Sequence, residues 1–205
     1  VDVLITCGAT RNPVDAMRYL SARSTGQTGL QIARALRDRG HRVRVLGSAE
    51  AALRAPDLAV EEYGSTRDLF DRMRDAILAA PTGAVIHAAA VGDYEVAAPD
   101  AGKTPSGRAE WLLRLVPTPK IADHVRGWGL TGPFITFKAG APETSVDDLH
   151  RIAAAQRART GSDRVFANVL GRLGTVLWVG DEAERFDDRD AAIGTLVDWV
   201  HRELT

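Results

Sequence analysis

The chain has 205 residues, 45% hydrophobic and 26% charged, which excludes a disordered or collagen-like protein. Twenty-six basic residues against 27 acidic give a net charge of −1, so nothing draws the chain generally to nucleic acid or to an anionic membrane. Cys7 is the single cysteine and allows no internal disulfide, and no apolar run reaches the roughly 18 residues of a membrane span. The expectation is one soluble, cytoplasmic domain over residues 1–205. All but three of the basic residues are arginine, which makes Lys103, Lys120 and Lys138 candidate positions for a compact point charge.

Residues 1–6 read as a strand, and the apolar run 3–7 before Gly8 suits a buried one. A long polar stretch, 8–28, precedes a helix carrying Leu30, Ile32, Ala33 and Leu36 that stops at Gly40. Residues 42–46 alternate as a strand, 66–80 place Leu69, Phe70, Met73 and Ile77 on one helical face, and 84–90 suit a second buried strand. Residues 111–116 are strand-like, 119–125 begin a short helix, 134–137 form a strand and 145–159 a helix with Asp147 and Asp148 in its first turn. Strands at 164–167 and 175–179 and an amphipathic helix at 190–204 complete the pattern. Strands alternating with helices of ten to fifteen residues specify an α/β fold. It is expected to be a doubly wound, mostly parallel, Rossmann-like sheet with helices on both faces.

Ligands of such sheets bind beyond the carboxyl ends of the strands, near the switch in strand order. The loops after Cys7, Ala90, Phe137 and Ala167 are therefore the ones to inspect. The first lacks the G-x-G-x-x-G spacing and has no Walker A lysine. Its segment Ser24-Thr25-Gly26-Gln27-Thr28-Gly29 delivers small hydroxyl residues and glycines to a helix start, where free N–H groups and the helix dipole suit a phosphate. Arg11, Arg18 and Arg23 add positive charge; the alternative is an N-cap and a tight turn. After the second strand, Ala88, Ala89 and Ala90 let a flat ring or sugar approach the backbone, and Asp93 is a candidate for a metal or a hydroxyl. Tight helix–sheet packing followed by a surface aspartate is the equal alternative. Lys103 sits in a glycine-bounded loop, Lys138 follows Phe137 at a strand end, and Asn168 is either a ligand contact or a capping residue. The histidines have no metal-ligand spacing, and His87 within its apolar strand reads as a hydrogen-bonded core residue.

Together these loops resemble phosphopantothenoylcysteine synthetase (phosphopantothenate–cysteine ligase) in its stand-alone form. The resemblance is carried by residues 5–15, by Met17-Arg18-Tyr19 through Ser24-Thr25-Gly26, and by Ala89-Ala90-Val91-Gly92-Asp93-Tyr94. Thr118-Pro119-Lys120-Ile121, Phe137-Lys138 and Asp163-Arg164-Val165-Phe166-Ala167-Asn168 follow in the family's order. The resemblance implies that the carboxylate of 4′-phosphopantothenate attacks the α-phosphate of CTP (ATP is not excluded), with Mg²⁺, releasing pyrophosphate. Cysteine then converts the acyl-cytidylate to the amide and CMP. It assigns Gly8, Thr10, Ser24, Gly26, Ala89, Ala90, Asp93, Phe137 and Lys138 to the nucleotide, with Asp93 also toward the metal-bound phosphates. Lys103 is assigned to neutralising the triphosphate, Arg18 and Asn168 to the acyl-substrate or nucleotide pocket, and Ala22 to the position associated with the acyl substrate. It implies a homodimer in which one subunit's loop completes the other's site.

The departures from the family concern the second half-reaction. Ala22 stands where the family has an asparagine, and alanine has neither donor nor acceptor. The basic cluster after Lys103 is thinned to Thr104-Pro105-Ser106, Gln27 replaces a common lysine, and Asn168-Val169 stands for Asn-Asp. One rival is therefore a paralogue using another acid or amine; another is a non-catalytic nucleotide-binding protein. A short-chain reductase fails, because no tyrosine has a lysine four residues on: Ala98, Arg67 and Arg23 follow Tyr94, Tyr63 and Tyr19.

Overall fold

The computed structural model describes residues 2–172 and 175–205; Val1 of the expected first strand lies outside them. In chain order the elements are β1 (Asp2–Cys7), β2 (Arg11–Pro13), β3 (Tyr19–Ser21), α1 (Gln27–Asp38), β4 (Arg42–Gly47), α2 (Ala49–Leu53), β5 (Val60–Glu62), α3 (Thr66–Ala79) and β6 (Ala84–His87). There follow β7 (Tyr94–Val96), β8 (Leu115–Pro117), β9 (Phe134–Gly140), α4 (Val146–Thr160), β10 (Arg164–Val169), β11 (Val176–Val179), β12 (Ala183–Phe186) and α5 (Arg189–Leu204).

The main sheet has the order β12-β11-β10-β9-β6-β1-β4-β5. From β10 to β5 the neighbours pair parallel, and β11 and β12 add antiparallel at one edge. The α/β doubly wound expectation is met. The chain builds outward from β1 through β4 to β5, then returns to β6 on the other side of β1, so the switch in strand order lies between β1 and β6.

Alternate residues of each strand go to opposite faces. Val3, Ile5 and Cys7 of β1 pack with Leu30, Ile32 and Leu36 of α1 and Leu196, Val197 and Val200 of α5. Leu4, with Leu46, Val85 and Phe134, packs against Leu69, Met73 and Ile77 of α3. The apolar side of α4 covers Val165, Ala167 and Val169 of β10. Burial on both faces explains the near-continuous apolar runs of the central strands.

The structure extends several expected elements and corrects others. The strand expected at 134–137 runs to Gly140 and the one expected at 164–167 to Val169, because each supplies the other's partner through to Val169↔Gly140. Asn168 is thus a strand residue, not a cap. The strand expected at 84–90 ends at His87, although Ala88 and Ala90 still donate to Thr6 and Gly8 of the adjacent segment. The strand-like 111–116 contributes only β8, paired with β7 outside the main sheet. The short helix at 119–125 is a 3₁₀ turn, Ile121–Asp123, followed by another at Arg126–Trp128. Within the polar stretch 8–28 the chain folds a hairpin, β2 against β3.

His87 is a core residue, as expected: its Nδ1 shares a hydrogen bond of 2.8 Å with Thr6 Oγ1, which accepts from the Ala89 amide. Burial pulls its pKa down to about 4. Between there and the ordinary value near 6.5 the unfolded chain holds a proton that the folded chain refuses, so stability rises with pH across this window. In denaturant titrations at pH 7 and pH 5, the wild type is expected to lose about 2 kcal/mol more on acidification than His87→Gln. Equal losses would contradict a neutral, buried His87. Cys7 is fully buried and burial pushes its thiol up to about 12. A disulfide reagent at pH 8 is expected to leave it untouched in the native protein and to label it in urea; fast native labelling would place Cys7 outside the core.

Candidate active site

At the end of β1 the backbone passes closer to α1 than any side chain would permit. Gly8 has φ 86°, and a Cβ there would fall 2.1 Å from Ser48 Oγ. Gly26 has φ 81°, and its Cβ would lie 2.8 Å from Ala51 Cβ and 3.0 Å from the Gly8 nitrogen. A Cβ on Gly29 would meet Cys7 Cβ at 2.5 Å. These glycines set the first turn of α1 directly over the carboxyl end of β1.

That helix end is electrostatically bare. Ser65, Ser145 and Asp188 cap α3, α4 and α5 through side-chain oxygens, and each of those helices has an acidic residue in its first turn. Helix α1 begins at Gly26 with no side-chain cap and no acidic residue in its first turn. The amides of Thr28 and Gly29 find no protein acceptor among the described residues. Bare N–H groups at a helix start, with the positive end of the dipole behind them, favour an anion.

A cleft of about 640 Å³ opens in front of this turn. Ser24, Gly26 and Thr28 line one wall, Ala88–Ala90 the floor, and Phe137, Lys138 and Asn168 the far side. The Phe137 ring stacks on Phe166, with centroids 4.9 Å apart. The structure thus brings together Ser24, Gly26, Ala89, Ala90, Phe137, Lys138 and Asn168, from segments more than a hundred residues apart. Gly8 contributes backbone geometry beneath them. A second cavity of about 350 Å³ is lined by Arg11, Tyr19, Ala22 and Glu50, and it shares Arg23, Ser24 and Thr25 with the cleft. Arg11 lies over the Tyr19 ring at 4.9 Å. Neither Arg11 nor Arg23 has a carboxylate within ion-pair distance among the described residues.

Four expected residues lie elsewhere. Thr10 is fully buried, its hydroxyl accepting from the Gly92 amide at 2.8 Å and from Thr66 Oγ1 at 3.0 Å, so it braces the loop from behind. Asp93 does not line the cleft; its carboxylate accepts from Lys120 Nζ at 2.5 Å. Among the described residues no three His, Cys, Asp or Glu side chains gather as metal ligands. Arg18 is held by Asp15 at 2.7 Å and lies 5.0 Å from the Trp111 ring, away from both cavities. Buried Asp15 also accepts from the amides of Met17, Arg18 and Thr104, which keep its carboxyl below the usual range and tie the Lys103 loop to this turn.

The sequence reading missed Arg189, which reaches the cleft from the start of α5 and donates from Nη2 to Thr28 Oγ1 at 2.9 Å. One arginine among 23 carries no compositional signal; its place at the start of a helix, where a cation is disfavoured, is the one local hint.

Residues 1–192 match the family described as DNA/pantothenate metabolism flavoprotein C-terminal domain. The coenzyme A biosynthesis bifunctional protein CoaBC of Thermococcus kodakarensis is 31% identical over 175 residues, 84% of this chain and 42% of that protein. CoaBC of Escherichia coli K12 is 28% identical over 171 residues, 82% of this chain and 41% of that one. The chain spans about two fifths of the length of these relatives. In fold it is similar to the DNA/pantothenate metabolism flavoprotein from Streptococcus pneumoniae, with TM-score 0.84, 21% identity and 98% of each chain covered. It is also similar to a Cab2 mutant in complex with phosphopantothenate-cysteine, with TM-score 0.75, 18% identity, and 100% of this chain and 89% of that chain covered. The chain belongs to the family of DNA/pantothenate metabolism flavoprotein C-terminal domains.

Proposed function

We propose that the chain is a nucleotide-dependent carboxylate–amine ligase that joins 4′-phosphopantothenate to cysteine in coenzyme A biosynthesis. Family membership supports the chemistry, and one observation carries it to this site: the two cavities share the segment Arg23–Thr25. A nucleotide in the larger cleft sets its phosphates against the bare start of α1. An acid in the smaller cavity, its own phosphate facing Arg11 and Arg23, presents its carboxylate across Ser24. A carboxylate oxygen then bonds to the α-phosphorus of CTP while the bond to the bridging oxygen breaks, and pyrophosphate leaves with that oxygen. The cysteine amine attacks the acyl carbon, expels CMP and gives up a proton. The chain's work is to hold two anionic partners together and to offset phosphate charge. Among the described residues no protein-held magnesium site is assembled, so Mg²⁺ enters this reading as the counter-ion of the triphosphate.

Ala22 lines the smaller cavity and offers the acyl group no hydrogen bond. Activation of the acid is therefore expected to outrun transfer to cysteine. With CTP, Mg²⁺ and 4′-phosphopantothenate, a burst of pyrophosphate is expected, and mass spectrometry should detect a bound acyl-cytidylate. Ala22→Asn is expected to speed cysteine-dependent CMP release about tenfold or more without changing the burst, the size of one oriented donor at a reacting group. CTP binding without pyrophosphate would overturn the phosphopantothenate assignment and favour a different acid.

A homodimer is part of the proposal. The hairpins β2–β3 and β7–β8 and the loops joining their strands expose Met17, Tyr94 and Leu112, the last 82% accessible, on the side that carries Arg18 and Lys103. A second copy covering this side would bury those apolar groups and bring the two cations toward a neighbouring cleft. Light scattering is expected to give a dimer for the wild type and a monomer for Leu112→Glu combined with Met17→Glu; a monomeric wild type would contradict it.

A further inference from the structure

Arg189 lines the cleft, as Arg23 and Lys138 do, without a carboxylate partner among the described residues. It is the first residue of α5, between the cap Asp188 and Asp190, and it reaches toward the uncapped start of α1. Arg34, Arg44, Arg54, Arg67, Arg126 and Arg157 all sit against carboxylates. No carboxylate lies within ion-pair distance of Arg189 among the described residues; of its two acidic chain neighbours, Asp188 caps α5 by accepting from the Asp190 amide and Asp190 accepts from Gln31 Nε2 at 3.0 Å. The guanidinium lies 5.2 Å from the Phe166 ring, which itself stacks on Phe137, so its plane is fixed at the cleft's edge. Its one hydrogen bond, to Thr28, leaves most of its five donors unused. Partial burial pulls its pKa below the usual arginine value, and the nearby Asp190 offsets only part of that effect.

The uncapped start of α1 and the guanidinium of Arg189 thus face the same cleft, with Asp190 at its rim engaged by Gln31 rather than by the arginine. We infer that Arg189 is a binding residue for the polyphosphate of the nucleotide, closing over it from α5 while the α1 amides hold it from below. This deepens the ligase reading and rests on it for the identity of the anion. Because the guanidinium is a planar fork, it suits two oxygens of one phosphate chain, and its contribution scales with the charge that chain carries. It also explains why the α5 start is locked to α1 through Thr28: the two halves of the phosphate site are thereby held at a fixed separation.

The test is calorimetric titration of CTP, CDP and CMP into the full chain, without acid substrate, for the wild type, Arg189→Gln and Arg189→Lys. Arg189→Gln is expected to weaken CTP about tenfold or more, CDP less, and CMP by under about twofold, as one lost charge-assisted contact predicts. Arg189→Lys keeps the charge without the fork and is expected to fall between; it carries the test alone if the glutamine variant does not fold. An equal loss across the three nucleotides, or no loss, overturns the inference. Wild-type pyrophosphate release is scored separately. A wild type that binds CTP but releases no pyrophosphate overturns the ligase reading and leaves the Arg189 series to be judged on its own gradient. A wild type that binds none of the three overturns both.

Discussion

The close passage of α1 over the end of β1 governs the rest of the molecule. Three glycines make room for it by lacking a Cβ: one on Gly26 would lie 3.0 Å from the Gly8 nitrogen, one on Gly29 would lie 2.5 Å from Cys7 Cβ, and one on Gly8 would run into Ser48 at the start of α2. Two of the three hold positive φ. With those side chains absent, the helix start reaches the strand order's switch point, where β1 and β6 part and a crevice must form. The floor of that crevice, Ala88–Ala90, stays beside β1 through backbone bonds to Thr6 and Gly8, and small side chains keep it open. The fold and the cleft are consequences of one geometric requirement.

Electrostatics then sets α1 apart from α3, α4 and α5. Helices α3, α4 and α5 close their amino ends with serine or aspartate caps and an acidic first turn, which neutralises them. Helix α1 omits both devices, and Arg23, Lys138 and Arg189 stand around it without carboxylate partners among the described residues. A structure that pairs so many of its arginines leaves these cations unmatched where the larger cleft opens. The smaller cavity, reached through Arg23–Thr25, repeats the pattern with Arg11.

Much of this was legible in the sequence, for identifiable reasons. The buried parallel strands announce themselves as apolar runs, and the helix of Leu30 and Leu36 by its period and its stop at Gly40. The run of hydroxyl residues and glycines at 24–29 is local in sequence, so its place at the start of α1 can be read there. Positions defined by pairing were not legible. Strand β9 extends through Lys138 to Gly140 because β10 lies beside it, and Asn168 is a strand residue because Ala139 and Val176 flank it. The hairpin of β2 and β3 hides in a polar stretch because both its strands are three residues long and the one residue it buries fully, Asn12, is polar. A loop hydroxyl looks alike whether it faces a ligand or braces a neighbour, so the bonds of Thr10 to Gly92 and Thr66 are not legible in its local sequence. Arg189 escaped because its partner on α1 is 161 residues away.

The proposed function requires the crevice between β1 and β6 to hold a nucleoside triphosphate against the start of α1. A crystal structure of the chain grown with CTP and Mg²⁺ tests it most directly. The account predicts phosphate density within hydrogen-bond distance of the Thr28 and Gly29 amides, with the nucleoside over Ala89 and Ala90. Nucleotide density confined to another surface, or a start of α1 that stays empty at saturating CTP, would contradict it.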